Sequence, residues 1–391
     1  MRKRTLIPLL IAILLLCVLG AMLYLRAKAP PEAARLLPES DAIVFINLKS
    51  VRSVTHFDQT PIERTPDFQH FIDATGIVPE RDLDSVALAL HRMSDPNGPN
   101  GPVAYSEVFT GRFDGVRLAA YLHSIASDEE PYTGRTIYTI PIDGRHLRIA
   151  QLAYDTIAAS NMPTPEQIHS MLDRSRAGAL STPGSSLLAA RYHDVPLLSE
   201  AWGIGHIGLP FSSENDPDFI SVLGLQLPLR TNTDFVASLR YTAATHVLSG
   251  GAVHLRIEEF APDTTAAAAT VDTLNNLLNI LRGIAAEQLT AQSAAQPTFP
   301  STDASNAILN SITLTHHDAR VLLNATATLD QLKALTTAHN PAASSLSPSS
   351  FDPDAPVPAS VTPTSQKPSA PALSTPRKSR HATQTAPVAS N

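Results

Sequence analysis

Side chains able to ligate metals, act as nucleophiles or move protons are thinly spread along these 391 residues. The densest ligand-like group is His316-His317-Asp318. Adjacent residues on a strand point to opposite faces, and this group falls between two predicted strands, so it reads as a turn rather than a metal site. Asp128-Glu129-Glu130 is an acidic run without further oxygen ligands at calcium-loop spacing, and it reads as a solvated loop. The stretch from Ser212 through Ser213, Glu214, Asn215, Asp216 and Pro217 to Asp218 also gathers oxygens, but it fits no calcium loop, and its Asp-Pro step favours a turn. Trp202-Gly203-Ile204-Gly205-His206 sets the only tryptophan beside small residues. That pattern suits a core aromatic against closely approaching backbone, with the wall of a pocket as the second reading. Asn324-Ala325-Thr326 has the form of a glycosylation sequon inside a predicted strand.

The templates of hydrolytic and phosphate chemistry are missing. The chain has no His-Glu-x-x-His and no Gly-x-Ser-x-Gly. It also lacks Gly-x-x-x-x-Gly-Lys, a Ser-x-x-Lys in its central body and a catalytic cysteine. The sequence therefore assigns no catalytic, cofactor-binding or metal-ligating residue. It implies no cofactor, leans away from an enzyme and leaves the binding site unknown. A site assembled from distant residues is invisible at this level.

The elements that would position such a site are easier to read. Asp41 to Leu48 is β-branched and aromatic, a strand. Thr65-Pro66 offers a cap with proline in the first turn, and Gly76 a stop. Residues 83–90 and 103–112 form a hairpin around the turn at Asp95 to Gly101. Asp114 caps a helix with Val116, Ala119, Leu122 and Ile125 on one face. Strands follow near 134–140, 145–151 and 154–160, and Thr164 to Gln167 has the form of a capping box opening a helix with Ile168, Met171 and Leu172 inward. A second half repeats the style. Its strands lie near 199–207, 233–243 and 246–259, followed by a long helix capped by Asp263 with Val271, Leu274, Leu278, Leu281 and Ala285 as its stripe. Strands at 307–313 and 320–326 come next, and a short helix opens at Thr328. Short links between consecutive strands imply antiparallel pairing, hence an α+β fold of mainly antiparallel sheets with packed helices, and the two halves suggest a structural duplication.

Residues 5–25 form an uncharged apolar run of 21 residues, long enough at ~1.5 Å per helical residue to span a ~30 Å hydrocarbon core. Arg2, Lys3 and Arg4 precede it, which orients the N-terminus to the cytoplasm. Cleavage as a signal peptide is disfavoured by the length of the run and by Pro30. Cys17 reads as a small apolar residue within it. The expected organisation is thus a cytoplasmic N-terminus, signal anchor and linker over 1–35, α+β halves over 36–180 and 181–338, and a disordered tail over 339–391. Ten prolines in residues 341–391 argue for that disorder, and Arg377, Lys378, Arg380 and His381 form a small basic cluster within the tail.

Charge narrows the partners. Residues 1–35 carry a net +5 and 341–391 a net +2, so against a total of −7 the body between them holds −14. Such a body repels a phosphate backbone, and nucleic acid is not expected as a partner. One cysteine in the whole chain leaves stability to core packing.

Four junctions bear a resemblance: Leu37 to Ala42 entering a strand, Gly111-Arg112-Phe113-Asp114 entering a helix, Asp155 to Ser160 before a capped helix, and Trp202-Gly203. In these the chain resembles uncharacterised single-anchor extracytoplasmic (envelope) proteins of bacteria over residues 36–337. The resemblance implies a fold and no activity. The resulting expectation is a single-pass inner-membrane protein with a periplasmic body, serving as a membrane-tethered binding or scaffold protein with an envelope protein as partner. The alternatives are an envelope hydrolase built from dispersed residues and a hydrophobic-ligand carrier. The carrier requires an apolar cavity.

Overall fold

A computed structural model gives the fold. It describes residues 29–338 apart from 60–63, 96, 143, 179–183, 207–211, 214–215, 223–224, 228–232, 244–250 and 294–299, together with Leu14, Leu16, Cys17, Leu19 and Gly20.

In chain order the first half contains α1 (Glu32–Leu36), β1 (Ala42–Ile46), α2 (Leu48–Thr55), α3 (Pro66–Thr75), α4 (Pro79–Asp82), β2 (Leu83–Arg92), β3 (Val103–Gly111) and α5 (Gly115–Ile125). It continues with β4 (Asp128–Tyr132), β5 (Arg135–Ile142), β6 (Arg145–Ala153), β7 (Thr156–Ser160) and α6 (Glu166–Ala177). The second half contains α7 (Ser186–Arg191), β8 (Ala201–His206), β9 (Ser212–Ser213), β10 (Asp216–Val222), β11 (Leu225–Leu227), β12 (Asp234–Thr242) and β13 (Ala252–Phe260). It ends with α8 (Thr264–Ser293), α9 (Pro300–Ser311), β14 (Thr313–His317), β15 (Arg320–Thr328) and α10 (Leu329–Ala338).

Among the described residues twelve strands form one sheet in the order β14-β15-β13-β12-β8-β1-β2-β3-β7-β6-β5-β4, and β9 to β11 form a separate three-stranded one. Each neighbouring pair in the large sheet is antiparallel, so the α+β, mainly antiparallel reading is right. The two halves meet where β1 pairs with β8, Phe45 opposite Trp202. A Cβ at Gly205 would lie 2.5 Å from the Ala42 Cβ. Only glycine permits that approach.

Local signals set the helix ends. Thr65 Oγ1 accepts from the Phe68 amide, and Gly76 closes α3 at φ 75°. Asp114 accepts from Val116 and Arg117, and Asp263 from Ala266 at 2.7 Å. At Thr328 the capping box is reciprocal: the hydroxyl accepts from the Gln331 amide, while Gln331 Oε1 accepts from the Thr328 amide at 2.8 Å. At Thr164 the box does not form. Its hydroxyl instead donates to the Glu166 carboxylate, and Pro165 takes the cap position.

Helices and connecting segments pack on both faces of the sheet. On one face Ile43, Phe45, Trp202, Ile204 and Val236 join Ala33, Ala34, Leu36 and Leu37 of the α1 segment, Ile168, Met171 and Leu172 of α6 and Leu188 of α7 in the main core. Ile77 after α3, with Leu118 and Leu122 of α5, packs on Ile140 and Ile157, and α8 lays Ala266, Ala267 and Val271 beside Val321. Leu278 of the expected α8 stripe is also buried. Val116, placed inward by spacing, is 81% exposed. The helix turns Leu118 to the core together with Leu122, the latter as its spacing predicts.

The expected membrane anchor requires correction. Among the described residues no helix is long and apolar enough to cross a membrane. The longest, α8 at 30 residues, carries Asp272, Arg282 and Glu287 and packs against β14 and β15. Of the segment 5–25 only Leu14, Leu16, Cys17, Leu19 and Gly20 are described, all helical, and the rest lies outside the described residues. A spanning helix needs an unbroken run of about 20 apolar residues to satisfy its backbone in lipid, and the described helices lack one. The transmembrane signal anchor is therefore withdrawn, and with it the membrane as partner and the single-pass, inner-membrane and periplasmic placement. The tail, with Arg377 to His381, lies outside the described residues.

Two elements differ from their sequence reading. Residues 307–311, taken as part of a strand, belong to α9, which is held by the Arg282 guanidinium donating to the backbone carbonyls of Leu309 and Ile312. Asp128-Glu129-Glu130, taken as a loop, opens the edge strand β4, with Glu129 paired to His123 and Glu130 to His169.

Candidate functional site: an aromatic cleft at the β1–β8 junction

Phe45 of β1 and Trp202 of β8 face each other across the central strand pair, rings stacked with centroids 5.5 Å apart. Tyr192, in the 3-10 turn after α7, meets the Trp202 ring edge-on at 5.2 Å. Each such aromatic contact adds roughly 0.5–1.5 kcal/mol beyond the area it buries. Trp202 is only 3% exposed, yet the three rings line a cleft of about 370 Å³.

The outer wall is the segment Val195 to Ser199, pinned at both ends. The Val195 amide donates to the Tyr192 carbonyl, and the Ser199 hydroxyl donates to the Pro196 carbonyl at 2.7 Å. Between them Leu198 adopts φ 62°, a left-handed conformation unfavourable to a leucine, and stands 80% exposed at the rim. Leu197 beside it is also exposed. Ala29 and Pro31 close another side.

Few polar groups reach the cleft. Asn47 is fixed in place, its side chain accepting from the Ser50 amide to cap α2 and its own amide donating to the Glu200 carbonyl. His193 stands at the mouth beside Asp194. Burial pushes the Tyr192 phenol up, partly offset by nearby Arg35, so the group stays neutral near neutral pH and offers an O–H in an apolar setting. A pocket of mostly aromatic and aliphatic walls with one or two polar groups suits a small apolar ligand. Its volume is more than twice the ~150 Å³ apolar cavity that accepts a benzene ring.

A second constellation has the residues of nucleophilic chemistry without the access. His91 Nε2 lies 2.9 Å from Ser106 Oγ, and Ser106 lies 3.0 Å from Ser160 Oγ. The His91 ring also bonds the Glu39 backbone. Ser106 is 0% and Ser160 1% exposed, so no substrate carbonyl can reach either hydroxyl. Burial pulls His91 down, the Asp41 carboxylate and the Glu39 carbonyl oppose this, and the net shift is downward. The group is a neutral, hydrogen-bonded core histidine linking β2, β3 and β7.

The residues singled out by sequence disperse. Trp202 and Ile204 are core positions of β8, and Trp202 also lines the cleft, so both readings of that motif hold. His206 at its end pairs with Asp234 at 2.8 Å. His316 and His317 end β14, and Asp318 occupies the turn at φ 52°. Among the described residues no group of three or more His, Cys, Asp or Glu side chains is placed to hold a metal. Ser212, Ser213 and Asp216 to Asp218 lie in the small sheet, while Glu214 and Asn215 lie outside the described residues. Cys17 is free and exposed. Asn324 is in β15. The residues that complete the cleft, Phe45, Tyr192 and Val195 to Ser199, carry no motif. Trp202 is their one sequence signal.

No family model matches the chain, and no curated protein matches it. Two solved structures resemble it weakly. "Structure of crystal form III of TP0453" aligns at TM-score 0.41 and 11% identity over 79% of this chain and 99% of that one. "Structure of crystal form IV of TP0453" gives TM-score 0.39 and 11% identity over 80% and 98%.

Proposed function

We propose that the protein is a hydrophobic-ligand carrier that takes one small apolar molecule into the Phe45–Tyr192–Trp202 cleft. The observation that carries this reading is the cleft itself: aromatic floor, exposed leucines at the rim and no buried charge among the lining residues. A ligand lying over the rings would cover Leu197 and Leu198, and removing that apolar surface from water supplies the driving force, ~25 cal/mol per Å². A hydrolase reading gains nothing from the structure, since the nucleophile-like Ser106 is sealed from solvent.

Trp202 is the sole tryptophan, so tryptophan emission, excited selectively over the eight tyrosines, reports on the cleft. Titrating the full-length protein with 1-dodecanol should give a saturable, one-to-one change in Trp202 emission. Absence of any saturable change up to the solubility of the alcohol would overturn the proposal.

A further inference from the structure

The aromatic cleft continues along the same face of the sheet into a polar groove. Phe45 pairs with Trp202, Trp202 with Ser238, Ser238 with Arg256 and Arg256 with Asn324, a single row across β1, β8, β12, β13 and β15. Directly opposed residues of antiparallel strands project to the same side. The row two residues further on holds Arg240, His254 and Thr326, and alternation along a strand returns it to this same face. Over these two rows lies a second cavity of about 240 Å³, which shares Pro196 with the aromatic cleft.

The charged side chains of its lining are both arginines. Arg240, His254 and Arg256 reach it, with Ser238, Asn324 and Thr326, and no carboxylate does. Arg256 is paired with Glu258 at 2.9 Å, and Glu258 is shared with Arg320. His254 Nδ1 lies 3.2 Å from Thr326 Oγ1. The neighbouring acid, Glu200, accepts from the Tyr241 amide at 2.8 Å. Arg240 is exposed and forms no ion pair among the described residues. A guanidinium with no ion-pair partner among the described residues thus stands beside an apolar cleft, matching one anionic group on the occupant of that cleft. With strands ~4.8 Å apart and ~3.4 Å between residues, Arg240 and Arg256 lie roughly 8–10 Å along the sheet from Trp202, within the span of one medium-length chain.

Resting on the carrier reading above, we infer that the ligand is a single-chain anionic amphiphile, a fatty-acid-like carboxylate. Its chain lies over Phe45, Tyr192 and Trp202, and its head sits at Arg240 with His254 and Arg256 around it. The shared wall at Pro196 joins the two ends of the site.

Trp202 fluorescence of the full-length protein titrated with dodecanoate, 1-dodecanol and acetate, each below any micelle concentration, tests this. Dodecanoate should bind about tenfold more tightly than dodecanol, the order of effect a charge-assisted hydrogen bond carries. The preference should shrink as salt is raised. Arg240→Ala should abolish it, and Arg240→Lys should retain part of it. Equal affinities for dodecanoate and dodecanol, or loss of both in Arg240→Ala, would overturn the head-group assignment and leave the apolar cleft standing. Acetate competing with dodecanoate as strongly as the intact chain would overturn the joined site. Failure of both long-chain probes would instead refute the carrier reading itself.

Discussion

Replacing Leu198 with glycine should make the protein more stable and a poorer binder. Leu198 holds φ 62° with four-fifths of its surface exposed, so it contributes little burial while bearing the left-handed penalty of roughly 1–2 kcal/mol for a residue with a Cβ. Glycine removes that penalty but adds ~0.5–1 kcal/mol of unfolded-chain entropy, for a net gain of about 0.5–1 kcal/mol. Binding should move the other way. A ligand that covers half of the leucine side chain gains about half of the ~1.5–3 kcal/mol available for its full burial, so Leu198→Gly should weaken dodecanol binding roughly fivefold. Urea unfolding and Trp202 titration on the same samples read both quantities. A variant destabilised by more than 1 kcal/mol, with affinity intact, would refute the assignment of Leu198 as a strained rim residue.

Further outcomes follow from the core and the caps. Burial pulls His91 below its ordinary value of about 6.5 in the folded state, so its neutral form supports the fold; that stability is complete above pH 6.5 and is lost as pH falls from there toward the folded-state value. Half-buried Glu107, shifted upward by desolvation, favours the fold as pH falls and opposes this trend, so the comparison is wild type against His91→Gln: urea midpoints between pH 7.5 and 5 should fall more steeply for wild type. Thr328→Ala breaks a reciprocal capping box and should cost about 1 kcal/mol in urea unfolding, with no change in dodecanol affinity. Glu258→Ala leaves Arg256 without its ion-pair partner, but Arg256 and Arg320 are nearly half exposed and Arg320 keeps Asp194. The cost should therefore be ~1–2 kcal/mol rather than the ~3–5 of a fully buried pair, again read by urea unfolding.

What could be read from the sequence tracks the range of the physics behind each feature. Thr65, Gly76, Asp114, Asp263 and Thr328 mark helix ends because each cap is completed by a backbone group or side chain only a few positions away. The hairpin around Asp95 to Gly101 and the antiparallel character of the sheet are likewise local. Residues 307–311 misled because Ile308 and Leu309 have strand-like composition, while their helical state depends on Arg282, distant in sequence, reaching the end of α9. Val116 misled because a three-residue spacing drifts around a helix of 3.6 residues per turn. The apolar run at 5–25 met the length rule for a spanning segment, yet no described helix has that character. For the cleft, Trp202 was visible and its partners were not: Phe45 and Tyr192 reach it only through the β1–β8 pairing and the turn after α7. The same pairing ladder sets Arg240, His254 and Thr326 in a row from three separate strands, which no linear spacing displays.

Isothermal titration calorimetry of dodecanoate into the full-length protein between 10 and 35 °C tests the central claim most directly, because burial of apolar surface gives a negative heat-capacity change whatever the sign of the enthalpy. A ligand seated over Phe45, Tyr192 and Trp202 predicts one site per chain and a binding enthalpy that becomes more negative with temperature. Saturable one-site binding with no temperature dependence of the enthalpy, or no binding heat anywhere in that range, would contradict it.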